Sequence, residues 1–222
     1  IGEVTAGDDV AGVVYTALTE AGLTLHAHDV VVITHKIVSK AEGRVAPVSD
    51  DAVYRELVEQ EAASIVRRRG DLVITITEHG FICANAGVDR SNAPRGHAVL
   101  LPRAPDRSAH TIRKRLERVS GVPIAVIVTD TFGRPWRRGL TDVAIGVSGI
   151  PALIDLRGTK DMQGRSLEVT EVAVIDEIAA AADLVMGKAT GIPAAIVRGL
   201  ELTAGEGRAT DLVRPAAEDL FR

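Results

Sequence analysis

Two short apolar runs restrict what this chain can fold into. Residues 29–34 and 123–128 consist mainly of valine and isoleucine. β-Branched runs of this length are typical of buried strands and are too short for a helix. The longest uninterrupted apolar run, residues 122–128, is far shorter than the ~20 residues that a membrane-spanning helix needs. The sequence therefore predicts a globular protein with central strands and no contact with a membrane.

Helices and further strands are predicted around these two runs. Apolar residues recur at helical spacing in residues 10–21, 50–69, 106–121 and 171–186. Asp106 is a candidate cap, Gly121 a candidate stop, and the arginines at 67–69 would complement the dipole of their helix. Residues 71–77 and 81–84 predict a hairpin, and residues 194–197 a late strand. Because helices and strands do not alternate strictly, the order favours an α+β fold with mixed sheets. We expect one domain over residues 1–222, with a discontinuous second lobe (lobes 1–78 with 190–222, and 79–189).

Composition excludes several classes of protein. The net charge of the 222-residue chain is −4 without a long basic run, which argues against a nucleic-acid binder. Cys83 is the single cysteine, so neither a disulfide framework nor a cysteine metal cluster is expected. Cys83 lies in an apolar stretch without a neighbouring histidine, which favours a buried small side chain over a catalytic thiol. No charged start precedes an apolar segment, and this pattern predicts a cytoplasmic protein.

Two polar stretches contain the residues best suited to chemistry. Residues 84–92 and 128–139 each carry an aspartate, Asp89 or Asp130, after a predicted strand and beside small hydroxyl or amide residues. Such oxygen ligands suit Mg²⁺ or Mn²⁺, which proteins usually hold with one or two carboxylates plus substrate phosphate. Arg134, Arg137 and Arg138 follow and are candidates for binding phosphate or carboxylate. The alternative is a pair of turns capped by aspartate, with arginines in solvent.

Two further segments are weaker candidates. Lys36 and Lys40 follow the first strand and are suited to phosphate, although solvated lysines at a helix start explain them equally. Residues 186–193 contain two glycines and Lys188, which would let backbone amides approach a ligand, or would simply end a helix. The common glycine-rich phosphate loops are absent from the sequence, and the six histidines show no metal-ligand spacing.

Taken together and in this order, these segments resemble the coenzyme F420-0:γ-glutamyl ligase family. The resemblance is carried by residues 7–9, 36–44, 84–92, 100–102, 106–109, 129–139, 170–182 and 197–199. It implies an enzyme that adds L-glutamate through γ-linkages to coenzyme F420-0. It further implies GTP as co-substrate, one or two Mg²⁺ or Mn²⁺ ions, K⁺ as a further candidate ion, and a homodimer.

The resemblance also implies roles for individual residues. Asp89 and Asp130 match ligands of one metal ion, Thr131 matches a ligand of a second, and both aspartates and Arg134 are the catalytic candidates. The implied nucleotide contacts are Ile1, Gly2, Glu3, Val4, His35, Lys40, Asn92, Met186, Gly187, Lys188, Ala189, Thr190, Gly191, Ile192 and Pro193.

Three of these positions depart from the family pattern. Gly2 replaces a proline, His35 a smaller polar residue, and Lys188 a glutamine that ligates the second metal in some members. A lysine ammonium cannot coordinate a cation, so Lys188 puts that second metal in question.

The chemistry of amide formation suggests a route. A carboxylate must be activated before an amine attacks it, and attack on the γ-phosphate of GTP would give an acyl phosphate that glutamate then displaces. Two other functions stay open on the residues alone. One is a metal-dependent phosphohydrolase or phosphotransferase, and the other is a non-catalytic nucleotide-binding subunit.

Overall fold

A computed structural model describes residues 1–220. The strands are β1 (Val30–Thr34), β2 (Val45–Pro47), β3 (Ala62–Arg69), β4 (Leu72–Thr77), β5 (Ile82–Ala84), β6 (His97–Val99), β7 (Ala125–Arg134), β8 (Arg137–Ser148), β9 (Ile154–Asp155), β10 (Glu171–Val172) and β11 (Ala194–Val197). The helices are α1 (Val10–Glu20), α2 (His35–Ala41), α3 (Asp51–Glu61), α4 (Pro105–Ser120) and α5 (Val174–Met186). Among these residues no helix is both long enough and apolar enough to cross a membrane.

The larger of two packed units is built on a four-stranded sheet in the order β11-β1-β7-β8. β1 runs parallel to β7, with Val30 opposite Ala125 and Thr34 opposite Thr129, while β11 and β8 run antiparallel to their neighbours. Helices α4 and α5 both pack on β8. The predicted strands at 29–34, 123–128 and 194–197 are confirmed, because their β-branched side chains fill this core.

A smaller unit extends from β2 to β6 in the sequence. It contains the sheet β3-β4-β5, the pair β2-β6 and helix α3. Its separate apolar cluster consists of Val48, Val58, Val73, Ala86, Val88, Ala98 and Leu100. The fold is therefore α+β with mixed sheets, as predicted. The predicted lobes remain a prediction, and residues 221–222 of the first lobe lie outside the described residues. The apolar cluster of the smaller unit is drawn from residues 46–100.

The predicted helix over residues 50–69 is wrong in its second half. Helix α3 begins after Asp50, whose carboxylate accepts hydrogen bonds from the amides of Ala52 and Val53 at 2.8 and 3.0 Å, and it ends at Glu61. The next eight residues form β3, which pairs antiparallel with β4. The pairing of this segment with β4 outweighs the helical spacing of its apolar residues, so the segment forms a strand. Arg67, Arg68 and Arg69 consequently lie on a strand and do not complement a helix dipole.

Three other predicted boundaries move. Asp106 does not cap α4, which begins at Pro105. Instead its carboxylate accepts the amides of Val147 and Ala209 at 2.9 and 3.1 Å, joining the helix to β8. α5 begins at Val174, because residues 171–172 form β10. The strand through Asp130 continues to Arg134 and turns back as β8, a long strand that the sequence did not predict.

Candidate functional site

A cavity of about 590 Å³ opens where β1 ends and the adjoining parts of β7 and β8 carry polar side chains. It collects the predicted site residues except His35, Thr190 and the arginines Arg134, Arg137 and Arg138, although they come from distant parts of the chain. Its lining residues are Ile1, Gly2, Glu3, Val4, Thr34, Lys36, Ile37, Lys40, Asp89, Ser91, Asn92, Asp130, Thr131, Leu140, Asp142, Asp183, Met186, Gly187, Lys188, Ala189, Gly191, Ile192 and Pro193.

On one wall, Asp89 forms an ion pair with Lys36. The Lys36 ammonium lies 2.5 Å from Oδ2 of Asp89 and also donates to Oγ and the carbonyl oxygen of Ser91 at 2.6 and 3.0 Å. The amide of Ser91 donates to Oδ1 of Asp89 at 2.6 Å. Partial burial disfavours the charged carboxylate, but the bonds from Lys36 and Ser91 outweigh it and hold the pKa of Asp89 below its usual value. Lys36 is thus an ion-paired residue of the cavity and not a solvated lysine.

Asp130 lies within β7, opposite Val143 of β8, and not at a strand end as predicted. Its Oδ1 accepts the amide of Thr131 at 2.7 Å and lies 3.3 Å from Nε2 of His35. The Asp130 side chain is 15% exposed, while that of His35 is 1% exposed. His35 therefore lies behind Asp130 and does not line the cavity, so the predicted nucleotide contact is not direct.

Asp142 on β8 is a residue of the cavity that the sequence analysis missed. It lies opposite Thr131 and accepts hydrogen bonds from the hydroxyls of Thr129, at 3.0 Å, and Thr131. Its side chain is almost completely buried, so these two hydroxyls supply most of its polar environment. The signal was available: the tight Pro135–Gly139 segment predicts a hairpin, and a return strand would have brought Asp142 back beside β7.

The opposite wall is formed by the end of α5 and the loop that follows it. Lys188 places its ammonium 3.4 Å from Oδ1 of Asp142. Burial raises the pKa of the nearby Asp183 carboxyl; the Asp142 charge adds to this effect, and Lys188 opposes it. Gly187 and Gly191 take positive φ angles of 59° and 73°, which turn the loop back toward β1. The hydroxyl of Thr190 bonds to the carbonyl of Met186 within this loop, which explains why Thr190 does not line the cavity.

Residues near the N-terminus close a third side. Val4 is buried in the main core, and this anchors the segment before it at the cavity. Glu3 forms an ion pair with Lys40 of α2 at 2.5 Å. Glu3 and Lys40, which were both predicted as nucleotide contacts, thus line the same cavity. The Lys40 ammonium is paired with the Glu3 carboxylate.

Arg134 lies outside the cavity, near the exposed tip of the β7–β8 hairpin. Its guanidinium donates to the carbonyl of Arg138 at 3.2 Å. The same tip exposes Trp136 by 78% and Leu140 by 66%, and Leu140 also lines the cavity. The hairpin therefore carries a basic and apolar surface from the edge of the cavity into solvent.

Cys83 fits the prediction of a buried small side chain. Burial, with the nearby Asp130 charge, raises the pKa of its thiol to about 12, so the thiolate is scarce near neutral pH.

The donors in the cavity suit a hard divalent cation. Asp89, Asp130, Asp142 and Asp183 supply carboxylates and Thr131 a hydroxyl, and neither cysteine nor histidine is among the lining residues. Among residues 1–220, no three His, Cys, Asp or Glu side chains are grouped closely enough to hold a metal by themselves. Mg²⁺ is usually held by one or two carboxylates and completed by water and phosphate. The residues therefore fit an ion that arrives with a phosphate ligand, and Asp89, Asp130 and Thr131 are the residues that would hold it.

An α+β fold whose cavity pairs carboxylates with lysines defines a class of protein suited to binding phosphate with a divalent cation. Comparison with known proteins narrows this class. The model of the F420-0:gamma-glutamyl ligase family matches residues 1–199, and the chain belongs to that family. It is therefore an enzyme of the ligase class, and the resemblance inferred from the sequence is confirmed.

Relatives with assigned names agree with the family. A protein of Methanothermobacter thermautotrophicus named coenzyme F420:L-glutamate ligase is 44% identical, over 99% of this chain and 94% of its own length. Proteins with the same name from Methanopyrus kandleri and Methanocaldococcus jannaschii are also 44% identical. The match to the Methanopyrus kandleri protein covers 99% of this chain and 94% of that protein. The match to the Methanocaldococcus jannaschii protein covers 87% of this chain and 84% of that protein.

Proposed function

We propose that this protein is a GTP-dependent amide ligase that adds L-glutamate to coenzyme F420-0 through γ-linkages. One observation carries the proposal: residues from separate motifs, including Asp89, Asp130 and the 186–193 loop, line a single cavity. Membership of the ligase family supplies the reaction class. The names of the relatives supply glutamate and coenzyme F420 as substrates.

We assign the nucleotide to the wall formed by the loop after α5. The backbone amides around Gly187 and Gly191 suit phosphate oxygens, because glycine allows a close approach. Lys40, Lys188 and Asn92 supply positive charge and an amide from the neighbouring walls. The preference for GTP over ATP follows from the family resemblance alone.

We assign a divalent cation to Asp89 and Asp130, and Thr131 to a second ion. When bound there, such an ion neutralises charge on the phosphates of the nucleotide. The Lys36 ammonium lies 2.5 Å from the Asp89 carboxylate and compensates part of its charge. The two aspartates then act as fixed anchors, and their preorganisation limits the motion of the reacting phosphate.

The reaction that fits this arrangement proceeds in two displacements. The terminal carboxylate of F420-0 attacks the γ-phosphorus of GTP, GDP leaves, and an acyl phosphate forms. The α-amine of glutamate then attacks the acyl carbon and inorganic phosphate leaves. This order activates the carboxylate before the amine reaches it, which makes amide formation favourable in water.

We assign the anionic parts of the acceptor to the β7–β8 hairpin. Arg134, Arg137 and Arg138 are exposed there next to Leu140, which lines the cavity. A guanidinium binds carboxylate or phosphate in a two-pronged geometry. Arg134 accordingly contributes to catalysis by holding the substrate at the mouth of the cavity.

We also propose a homodimer, which the family resemblance implies. The predicted cytoplasmic location and the K⁺ ion remain predictions.

The test measures phosphate release from GTP with Mn²⁺, with and without both glutamate and F420-0, together with the mass of the product. We expect release only when both substrates are present, a product heavier by glutamate, and slower turnover with ATP. Release that is independent of glutamate would instead identify a phosphohydrolase or phosphotransferase. Nucleotide binding without turnover would identify a non-catalytic subunit.

A further inference from the structure

The imidazole of His35 is enclosed between two polar groups at the start of α2. Its Nδ1 lies 3.1 Å from Oγ of Ser39, one turn later in the helix, and its Nε2 lies 3.3 Å from Oδ1 of Asp130. Ser39 is fully buried and His35 is 1% exposed. Although Nε2 is close to Asp130, it makes no hydrogen bond of acceptable geometry within the described residues. A buried nitrogen without a partner is costly and requires an explanation.

The hydrogen-bonding capacity of the neighbours fixes the role of each nitrogen. A carboxylate accepts hydrogen bonds and does not donate them, so a hydrogen bond from His35 to Asp130 requires the proton on Nε2, the nitrogen that faces it. With the proton on Nε2, Nδ1 is the bare nitrogen and accepts the hydroxyl proton of Ser39. This tautomer would let donation run in one direction, from Ser39 to His35 and from His35 to Asp130.

The two oxygens of Asp130 are not equivalent. Oδ1 accepts the amide of Thr131 at 2.7 Å and is also the oxygen nearest His35. Both neighbours of Oδ1 belong to the protein, while Asp130 lines the cavity. Oδ2 is consequently the oxygen available to a ligand.

We propose that His35 is a positioning residue that holds Asp130 so that Oδ2 faces the cation and phosphate. In the loaded protein a small rotation of the carboxylate lets Nε2–H donate to Oδ1, which satisfies the orphaned nitrogen. A donor behind a ligating carboxylate fixes its orientation, and removing such a group typically weakens metal binding 10- to 100-fold. This inference rests on the proposed function only in assigning a cation to Asp130.

A simpler role for His35 would be to fill space. The positioning role and the space-filling role predict different effects of the substitution His35→Gln. Glutamine retains an N–H donor that reaches toward Asp130, whereas alanine removes both the donor and the volume. His79 is the matched control: it also has a buried nitrogen without a partner, but it stacks on Phe81 and does not line the cavity.

The experiment measures Mn²⁺ affinity in the presence of GDP by electron paramagnetic resonance for the wild type, His35→Ala, His35→Gln and His79→Ala. Thermal unfolding of each variant confirms that it is folded. We expect about tenfold weaker Mn²⁺ binding in His35→Ala, binding within about threefold of wild type in His35→Gln, and no change in His79→Ala.

Three results would overturn the inference: wild-type affinity in His35→Ala, equal losses in the alanine and glutamine variants, or no Mn²⁺ binding by the wild type. The mass of the wild-type product tests the proposed function separately. A wild type that adds glutamate while His35→Ala keeps its Mn²⁺ affinity would remove the inference and leave the proposed function standing.

Discussion

At the scale of single residues, the two central aspartates are held by different chemistry. Asp89 has a lysine ammonium at 2.5 Å, so its negative charge is largely compensated before any ligand arrives. Asp130 has a backbone amide and a buried imidazole behind it, which orient the carboxylate. In the proposed cation site, an incoming ion would therefore share Asp89 with Lys36, whereas it would meet Asp130 as an oriented ligand.

Replacing either aspartate by asparagine should cut turnover at least ~100-fold and leave the fold intact. An amide keeps the shape of the side chain but loses the charge that holds the phosphate clamp. Steady-state rates of glutamate addition at saturating Mn²⁺ test this for Asp89→Asn and Asp130→Asn. Asp161→Asn, in a loop far along the chain from both, serves as the control and should behave as wild type. Near-normal turnover in either variant would contradict the assignment of that residue.

Lys188 allows a second test at this scale. Its ammonium lies 3.4 Å from Asp142, and it opposes the rise that burial and the Asp142 charge cause in the pKa of Asp183, so it compensates two carboxylates on one wall. Lys188→Gln should weaken GTP binding about fivefold at low Mn²⁺ and make the rate depend more steeply on Mn²⁺, because an ion then replaces the lost charge. Lys188→Ala should lose affinity at every Mn²⁺ concentration. GTP titrations of the wild type and both variants at two Mn²⁺ concentrations measure these effects. Superimposable binding curves for all three proteins would place Lys188 outside the site.

At the scale of helices and strands, the β7–β8 hairpin determines how close α4 can come to the sheet. A Cβ atom on Gly146 of β8 would lie 2.5 Å from the carbonyl carbon and oxygen of Pro105, the first residue of α4. Backbone atoms cannot move away as a flexible side chain can. This glycine is therefore needed for the helix to pack where it does.

Gly146→Ala should destabilise the protein by at least about 2 kcal/mol, because the helix has to move outward. Gly133→Ala is the matched control, since it lies on the preceding strand of the same hairpin and a Cβ atom there meets nothing within 4 Å. Urea unfolding of both variants measures the difference. Equal free energies of unfolding for the two variants would show that α4 can move outward at little cost, and would contradict the prediction.

A buried ion pair joins β1 to the end of β11 and gives a pH-dependent prediction. Asp29 is fully buried and accepts two hydrogen bonds from the Arg198 guanidinium at 2.7 and 2.8 Å. Burial disfavours its charge, but Arg198 and the amide of His26 hold the pKa of Asp29 below its usual value. A lowered folded-state pKa stabilises the fold above the unfolded pKa of ~4, and this contribution is lost as the pH falls through the folded value.

Asp29→Asn should therefore lower the melting temperature by roughly 5 °C at pH 7 and by progressively less below about pH 4. Asp71→Asn is the control, because its side chain is 94% exposed and pairs with Arg55 at 3.4 Å, and it should change little at either pH. Thermal melts at pH 7 and pH 3 measure both effects. A deficit of Asp29→Asn that stayed constant with pH would contradict the linkage.

Local patterns predicted what depends on neighbours along the chain. The apolar runs at β1, β7 and β11 and the hairpin β4–β5 could be predicted because each element has its own period and length. The sequence did not predict β3, since its pairing with β4 overrides a helical spacing, nor β8, and Asp142 was missed with it. At the site, the motifs around Asp89 and Asp130 marked both as candidates, and both line the cavity, while their roles as metal ligands stay predictions. The position of His35 depends on how β1 and β7 align, and no local pattern contains that information.

At the scale of the whole molecule, one edge of the smaller unit is open. β3 is an edge strand that exposes Ile65 by 42% and Val66 by 39%, and the neighbouring Leu72 is exposed by 46%. Proteins usually cover or protect such an edge. A second copy of the chain would cover it in the proposed homodimer.

Light scattering at micromolar concentration should accordingly give the mass of a dimer. Val66→Lys on β3 should shift the mass toward the monomer, because the buried charge opposes association. Val119→Lys is the control: Val119 is 53% exposed, but it lies on α4 away from this edge, and its variant should remain dimeric. A monomer mass for the wild type would contradict the proposal.

The cavity draws on residues from position 1 to position 193, and this has a consequence for the order of events during synthesis. β1 lies between β7 and β11, so the strand that is made first waits for partners about 100 and 160 positions later. Contacts this distant along the chain form slowly. A ribosome-bound chain that lacks the last third has neither the 186–193 loop nor β11, so it lacks one wall of the proposed nucleotide site. Ligand binding should therefore begin only when folding is complete, and a nucleotide analogue would distinguish finished molecules from nascent ones.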